Sequence, residues 1–312
     1  MTDLFAVDDP QADRSYVSIH DPKHEGAARA RTNCEDLWRD FEAHASKHFL
    51  AEFPYRFHQR WFEMYLAVSL IRAGFDVHCP KESAPDVRVQ YRDGRIVWIE
   101  AISPTGGDDP NPDRVVQPRP APGESSVGFY VPREQVTLRV SGALHAKAQK
   151  LREYRDNGVI APEHQAIVAI NVHDIPHGFY DAETYGLAAT YGVGPQVMTF
   201  DRATLAFTGS HVEYRPELRR TSGNPVDTAP FFNPSFEHVT GALISATDAA
   251  NCPKELGVDF MLLPNPGAAP RYIEGQLPLG REWKLQRAEG GYNIEVIEHQ
   301  KWSNSTDGAS RL

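Results

Sequence analysis

Residues 84–102 read APDVRVQYRDGRIVWIEAI, two runs of β-branched and aromatic residues parted by Arg92-Asp93-Gly94. Alternation of this kind around a glycine-containing turn predicts a β-hairpin. Its register decides what the segment can do. With a three-residue loop and Gly94 in the left-handed region, Tyr91 pairs with Arg95 and Asp86 falls opposite Glu100. Val87, Val89, Val97 and Ile99 then share one apolar face. A two-residue Asp93-Gly94 turn would instead set Asp86 against Ala101, and the two carboxylates would point to opposite faces of the sheet. The sequence permits both registers; the first is the expectation carried forward.

Upstream, RWFEMYLAVSLI at 60–71 places the carboxylate of Glu63 inside an apolar run. An isolated charge removed from water costs several kcal/mol, about the whole margin of a domain's stability, so something must compensate it. The run belongs to a helix expected from about Arg56 to Ala73, ended by Gly74. Before it, Asn33 is expected to cap a helix over CEDLWRDFEAHASKHFLAEF that Pro54 closes. Between the two carboxylate-bearing segments, FDVHC reads as a short strand.

Downstream, the stretch 104–132 is rich in Pro, Gly and Asp and too long for an ordinary connection, which is typical of lids and binding loops. A helix from about Glu134 to Asn157 follows, then the buried-type strand AIVAINV at 166–172. Beyond His173 the segments MTF, TLAF, TGALISA and DFMLLP read as further strands. This succession implies an α/β fold, a mixed sheet flanked by helices. The expected organisation is a flexible N-terminal segment at 1–32, a core at 33–172, a C-terminal extension packed on that core at 173–300, and a tail at 301–312.

Composition narrows the function classes. The 312 residues are 41% hydrophobic, enough for a sizeable core, and 32 basic against 42 acidic residues give a net charge of -10. Such a surface does not attract nucleic acid or anionic membrane as a whole, so any polyanion site must be a local basic patch. Cys34, Cys79 and Cys252 are odd in number and far apart, which argues against a disulfide framework or a thiolate zinc site and for a reducing compartment. The acidic N-terminus lacks the order of a signal peptide, and no run approaches a membrane span. A cytoplasmic location is the expectation.

A helix bearing Glu63, then Pro85-Asp86, then a hairpin ending in Ile99-Glu100 resembles the core of the PD-(D/E)xK nuclease superfamily, whose fold is restriction-endonuclease-like. The resemblance covers about Arg56 to Val172. The wider run of FHQRWFEMYL, APDVRV, VWIEAISP and IVAINV is similar to a functionally uncharacterised bacterial group within that superfamily. The resemblance implies a metal-dependent nuclease hydrolysing phosphodiester bonds of DNA or RNA. Asp86 and Glu100 would then hold Mg2+ or Mn2+, with Glu63 as a further ligand or water-orienting carboxylate. Hard oxygen ligands suit such ions. The family's lysine two residues after the Glu is absent, since Ile102 stands there. Arg139, Ala143, Lys147, Lys150 and Tyr154 lie along one face of the following helix. Lys147 is the expected replacement, with Arg139 and Lys150 contacting phosphates. A homodimer is expected only if both strands of a duplex are cut.

Each of these residues also has a plainer reading. Glu63 can pair with Arg60 one turn back or share a polar edge with Gln59, Asp86 can serve only the Pro85 turn, and a basic helix face can be mere surface. An inactive nuclease-like module that binds nucleic acid or protein, or a scaffold with a buried ion-pair network, are therefore the alternative functions. His173-Asp174-Ile175-Pro176-His177, with Asp181 beyond, has zinc-like spacing, but Pro176 opposes a helix and predicts a loop.

Overall fold

Gly94 adopts a left-handed φ of 88°, its N–H donates to Tyr91 O at 3.0 Å, and the Tyr91 N–H donates to Arg95 O at 2.9 Å in the computed structural model. The three-residue loop is therefore the one formed. The structure describes residues 2–80, 83–120, 122–288 and 291–299; the expected tail at 301–312 lies outside them. Strands β1 (Asp76–His78), β2 (Val87–Gln90) and β3 (Ile96–Ile102) are antiparallel neighbours, and Val87 pairs with Ile99. One step beyond that pair, the same register sets Asp86 opposite Glu100. Val87, Val89, Val97 and Ile99 are buried in one cluster.

Strand β4 (Gln165–Asn171) lies parallel to β3 and is buried at every position, the pattern of a strand covered on both faces. Two small hairpins follow, β5 (Val193–Phe200) with β6 (Phe207–Tyr214) and β7 (Glu217–Arg219) with β8 (Pro225–Asp227). The chain then returns to the main sheet. Strand β9 (Gly241–Ser245) runs parallel to β4, β10 (Met261–Pro264) antiparallel to β9, β11 (Arg281–Ala288) parallel to β10, and β12 (Gly291–Glu298) antiparallel to β11. The result is a mixed eight-stranded sheet in the order β1-β2-β3-β4-β9-β10-β11-β12.

Helices cover both faces. Helices α1 (Arg14–His20), α2 (Glu25–Phe41), α3 (Phe49–Glu52) and α4 (Phe57–Arg72) pack with Val97, Ile99, Ala101, Ile167 and Ala169. Helices α5 (Arg133–Asp156) and α6 (Ala182–Tyr191) pack with Trp98, Ala166, Val168 and Ile170 on the other face. The parity of β3 thus turns Glu100, like Trp98, toward α5. Helix α4 is buried along its whole length from Trp61 to Leu70, lying between α2 and the sheet, which explains its all-round apolar sequence.

Three expectations are corrected. The segment expected to be flexible at 1–32 is, over its described residues 2–32, packed on the body: Leu4, Phe5, Tyr16 and Ile19 are buried, and Tyr16 stacks on Phe5 at 5.4 Å and packs edge-on to Phe53. Their few apolar side chains suffice because they meet an aromatic cluster contributed by α3 and α4. The helix expected after Asn33 starts earlier, at Glu25, where the His24 ring accepts the Ala27 N–H, and stops at Phe41. Asn33 lies inside it and donates instead to Ala249 O at 2.8 Å. Finally, the region after residue 172 is no added layer, since four of its strands complete the central sheet.

The long 104–132 segment holds no helix or strand among its described residues, yet part of it is pinned to the body. Val115 is buried, and Asp113 accepts from the Thr221 N–H at 2.8 Å and the Thr221 hydroxyl at 2.6 Å.

Candidate active site

Glu100 is fully buried on β3, where the pleat aims it at α5. Its Oε1 accepts from Lys147 Nζ at 2.7 Å and from Lys150 Nζ at 2.6 Å, while its Oε2 is buried without a hydrogen-bond partner. The two lysines are three residues apart and so lie on one helix face, the face expected from the sequence. Ile102, on the same strand face as Glu100, packs against the α5-side core, and Lys147 meets Glu100 from the facing helix. For Lys150, burial pulls the ammonium pKa down, but the hydrogen bond and charge of Glu100 outweigh it and hold the group above its usual range. The Lys150 ammonium also lies 5.4 Å from the centre of the Tyr154 ring.

Asp86 sits beside this pair at the start of β2. Its Oδ2 accepts the Ala101 N–H at 2.7 Å across the hairpin. Burial, with the nearby charges of Glu63 and Glu100, pushes its carboxyl up to about 8, against the opposing pull of Lys147. Two carboxylates crowded onto a half-buried third make a site in which negative charge is under-compensated.

Glu63 arrives from α4, on the other side of the sheet. Gln59 Nε2 donates to its Oε1 at 2.9 Å, and Arg60, which also pairs with Glu52, holds its Oε2. Within the protein, then, Arg60 and Gln59 compensate the charge that stands out in the sequence. Gln59 does more than this: it donates to Ala101 O at 3.2 Å and accepts the Ser103 N–H at 2.8 Å. One amide thus joins α4 to the end of β3 and sets Glu63 against the carboxylate pair.

A cleft of about 290 Å³ opens here, lined among others by Glu63, Asp86, Lys150, Tyr154, His44 and His48. Glu100 and Lys147 stand behind this wall, and Lys150, 44% exposed, belongs both to the wall and to the Glu100 pair. Cys79 also lines the cleft, where burial and the charges of Asp86 and Glu63 push its thiol up to about 12 and leave it unreactive at neutral pH.

Among the described residues, no group of three or more His, Cys, Asp or Glu side chains is disposed to hold a metal ion. Both oxygens of Glu63 are already engaged. The unpartnered Glu100 Oε2 and the Asp86 carboxyl beside it nonetheless supply the hard-oxygen donor chemistry that Mg2+ takes.

Other expected residues fall elsewhere. Arg139 donates to Thr105 O at 2.9 Å and covers the backbone at Gly107, so it secures the loop after β3 and is turned away from the carboxylates. Lys150 faces Glu100 and, 44% exposed, also the cleft. His173 pairs with Asp248 at 3.0 Å, Asp181 pairs with Arg133 at 3.0 Å, and His177 is buried in a left-handed backbone turn, so HDIPH forms a loop without convergent ligands. The sequence did not assign Gln59 or Tyr154 a place in this site; the i,i+4 spacings Gln59–Glu63 and Lys150–Tyr154 were the available signals.

No helix among the described residues is long and apolar enough to cross a membrane. Compared with known proteins, the chain matches no family model, no curated protein and no solved structure.

Proposed function

We propose that the chain is a metal-dependent nuclease of the PD-(D/E)xK type, with a restriction-endonuclease-like core, acting at the cleft beside Asp86. The observation that carries this reading is the meeting of Asp86, Glu100 and Lys147 across one hairpin register and one helix face, with a buried oxygen of Glu100 left without a partner. Asp86 and Glu100 would hold the divalent cation. When bound, such a cation lowers the pKa of water and stabilises charge on a scissile phosphate. The chain's own groups do the rest. The Ala101 N–H fixes the Asp86 carboxylate, and Gln59 fixes the position of Glu63 at the cleft wall. Lys150, part of that wall, presents its ammonium to a phosphate oxygen, and Lys147 keeps a second positive charge behind it.

The test is cleavage of single- and double-stranded DNA and RNA with Mg2+ or Mn2+ by wild type and by Asp86→Ala, Glu100→Ala and Lys147→Ala. The expected result is loss of at least about a hundredfold in each folded variant. Cleavage that survives in Asp86→Ala and Glu100→Ala would overturn the site.

A second reading, a structural ion-pair network, is favoured by the engagement of Glu63 with Arg60 and of Glu100 with both lysines. Under it no Mn2+ binding is detected by calorimetry. Removing Glu100 would still cost about 3 kcal/mol or more, since it strands buried positive charge.

A further inference from the structure

Away from the cleft, Ser15 on α1, His58 on α4 and Asp174 after β4 form a hydrogen-bonded line. Ser15 Oγ lies 2.9 Å from His58 Nε2, and His58 Nδ1 lies 2.9 Å from Asp174 Oδ1. The second oxygen of Asp174 accepts from Ser103 Oγ at 3.2 Å, so the carboxylate is held at both ends. With Nδ1–H donated to Asp174, Nε2 carries the free lone pair and accepts the Ser15 hydroxyl proton. Ser15 is only half-buried and the His58 side chain is 29% exposed, so the pair is not sealed in the core. None of the three residues belongs to the carboxylate cleft.

We propose that Ser15 is the nucleophile of a second, metal-independent reaction centre that takes the acyl group of uncharged esters. Serine, base and orienting carboxylate stand in the order that activates a hydroxyl. Ser15 Oγ adds to the ester carbonyl carbon while its proton passes to His58 Nε2. The adduct collapses by breaking the bond to the alcohol oxygen, which departs with that proton. Water, deprotonated by the same nitrogen, then releases the acid from acyl-Ser15. Asp174 is the positioning residue. Asp13, whose Oδ1 lies 3.7 Å from His58 Nε2, stabilises the imidazolium and disfavours anionic substrates.

The Ser15 N–H is already donated to Asp13 Oδ1 at 2.8 Å and so is not offered to the developing oxyanion. A missing donor of this kind costs about 10² to 10³ in rate, so acylation with slow turnover is the expected behaviour.

The experiment treats the full chain with a fluorophosphonate probe in EDTA and maps the adduct by mass spectrometry. The expected adduct is on Ser15. It is absent in Ser15→Ala, unchanged in Ser18→Ala on the same helix, and forms at least tenfold more slowly in folded His58→Ala. In wild type the labelling rate rises with pH as His58 loses its proton, facing Asp13, Asp174 and Asp248, and Asp174→Asn moves that midpoint down. Absence of a Ser15 adduct in wild type overturns the proposal. So does an undiminished rate in folded His58→Ala or, where that variant fails to fold, a flat pH profile in wild type. Because EDTA removes the cation the nuclease reading requires, the two centres succeed or fail separately.

Discussion

Asp86 holds its proton to about pH 8 in the folded chain, whereas in the unfolded chain it ionises near its ordinary value of 3.8. Between these limits the folded state binds more protons, so stability falls as pH rises through the window. Asp86→Asn keeps an acceptor for the Ala101 N–H and removes the charge. We expect urea denaturation to find the variant more stable than wild type at pH 8 by at least about 1.4 kcal/mol, the worth of one pKa unit, with the difference vanishing near pH 4. An equal shift at both pH values would refute the crowding of carboxylates. At this scale the sequence was informative where chemistry is local. The register that pairs Asp86 with Glu100 was one of two that the turn allowed, and the reach of Lys147 to the sheet follows from helical spacing. The partners of Glu63 were foreseen only as an alternative, because a pattern of residue types does not say whether an arginine one turn away folds back or reaches out. The pairing of Lys150 with Glu100 was not foreseen for a related reason: Ala143 on the same stripe is buried, so the stripe faces the sheet.

Helices were legible where their apolar residues are dense and obscure where they are sparse. Helix α4 and strand β4 announce themselves by continuous apolar runs, whereas α1 buries only Tyr16 and Ile19, and the start of α2 is capped by a histidine outside the usual capping set. Helix α6 shows a constraint with little sequence signal. A Cβ at Gly186 would lie 3.0 Å from Ile244 Cγ1 and 3.1 Å from Leu263 Cδ1, so the helix approaches β9 and β10 closely. Gly186→Leu must push α6 off the sheet, and a loss of about 1–3 kcal/mol in denaturant unfolding is expected. The same change at Gly142, where nothing lies within 4 Å of an added Cβ, supplies the control and should be near neutral or stabilising.

At the scale of the molecule, the proposed site draws its residues from 59–154, but the sheet that holds them closes only with β9 to β12. Helix α2 is likewise tied to the far end of the chain, through Arg29 to Ala250 O and Asn33 to Ala249 O. A fragment ending at residue 172 would leave β4, a largely apolar strand, with an open edge. Expressed alone, it should be insoluble or lack cooperative unfolding; a soluble fragment with a sharp melting transition would show that the first half folds by itself. The boundary expected at 172 was misplaced because a strand's partner is chosen by topology, and β4 passes over some seventy residues to find β9. That long return has a consequence for biosynthesis. As the chain leaves the ribosome, β4 is complete well before its neighbour exists, and its hydrogen-bonding edge must wait through the making of both small hairpins. The nascent protein is then most exposed to mispairing, and a chaperone or slow translation over residues 173–240 would act at that interval.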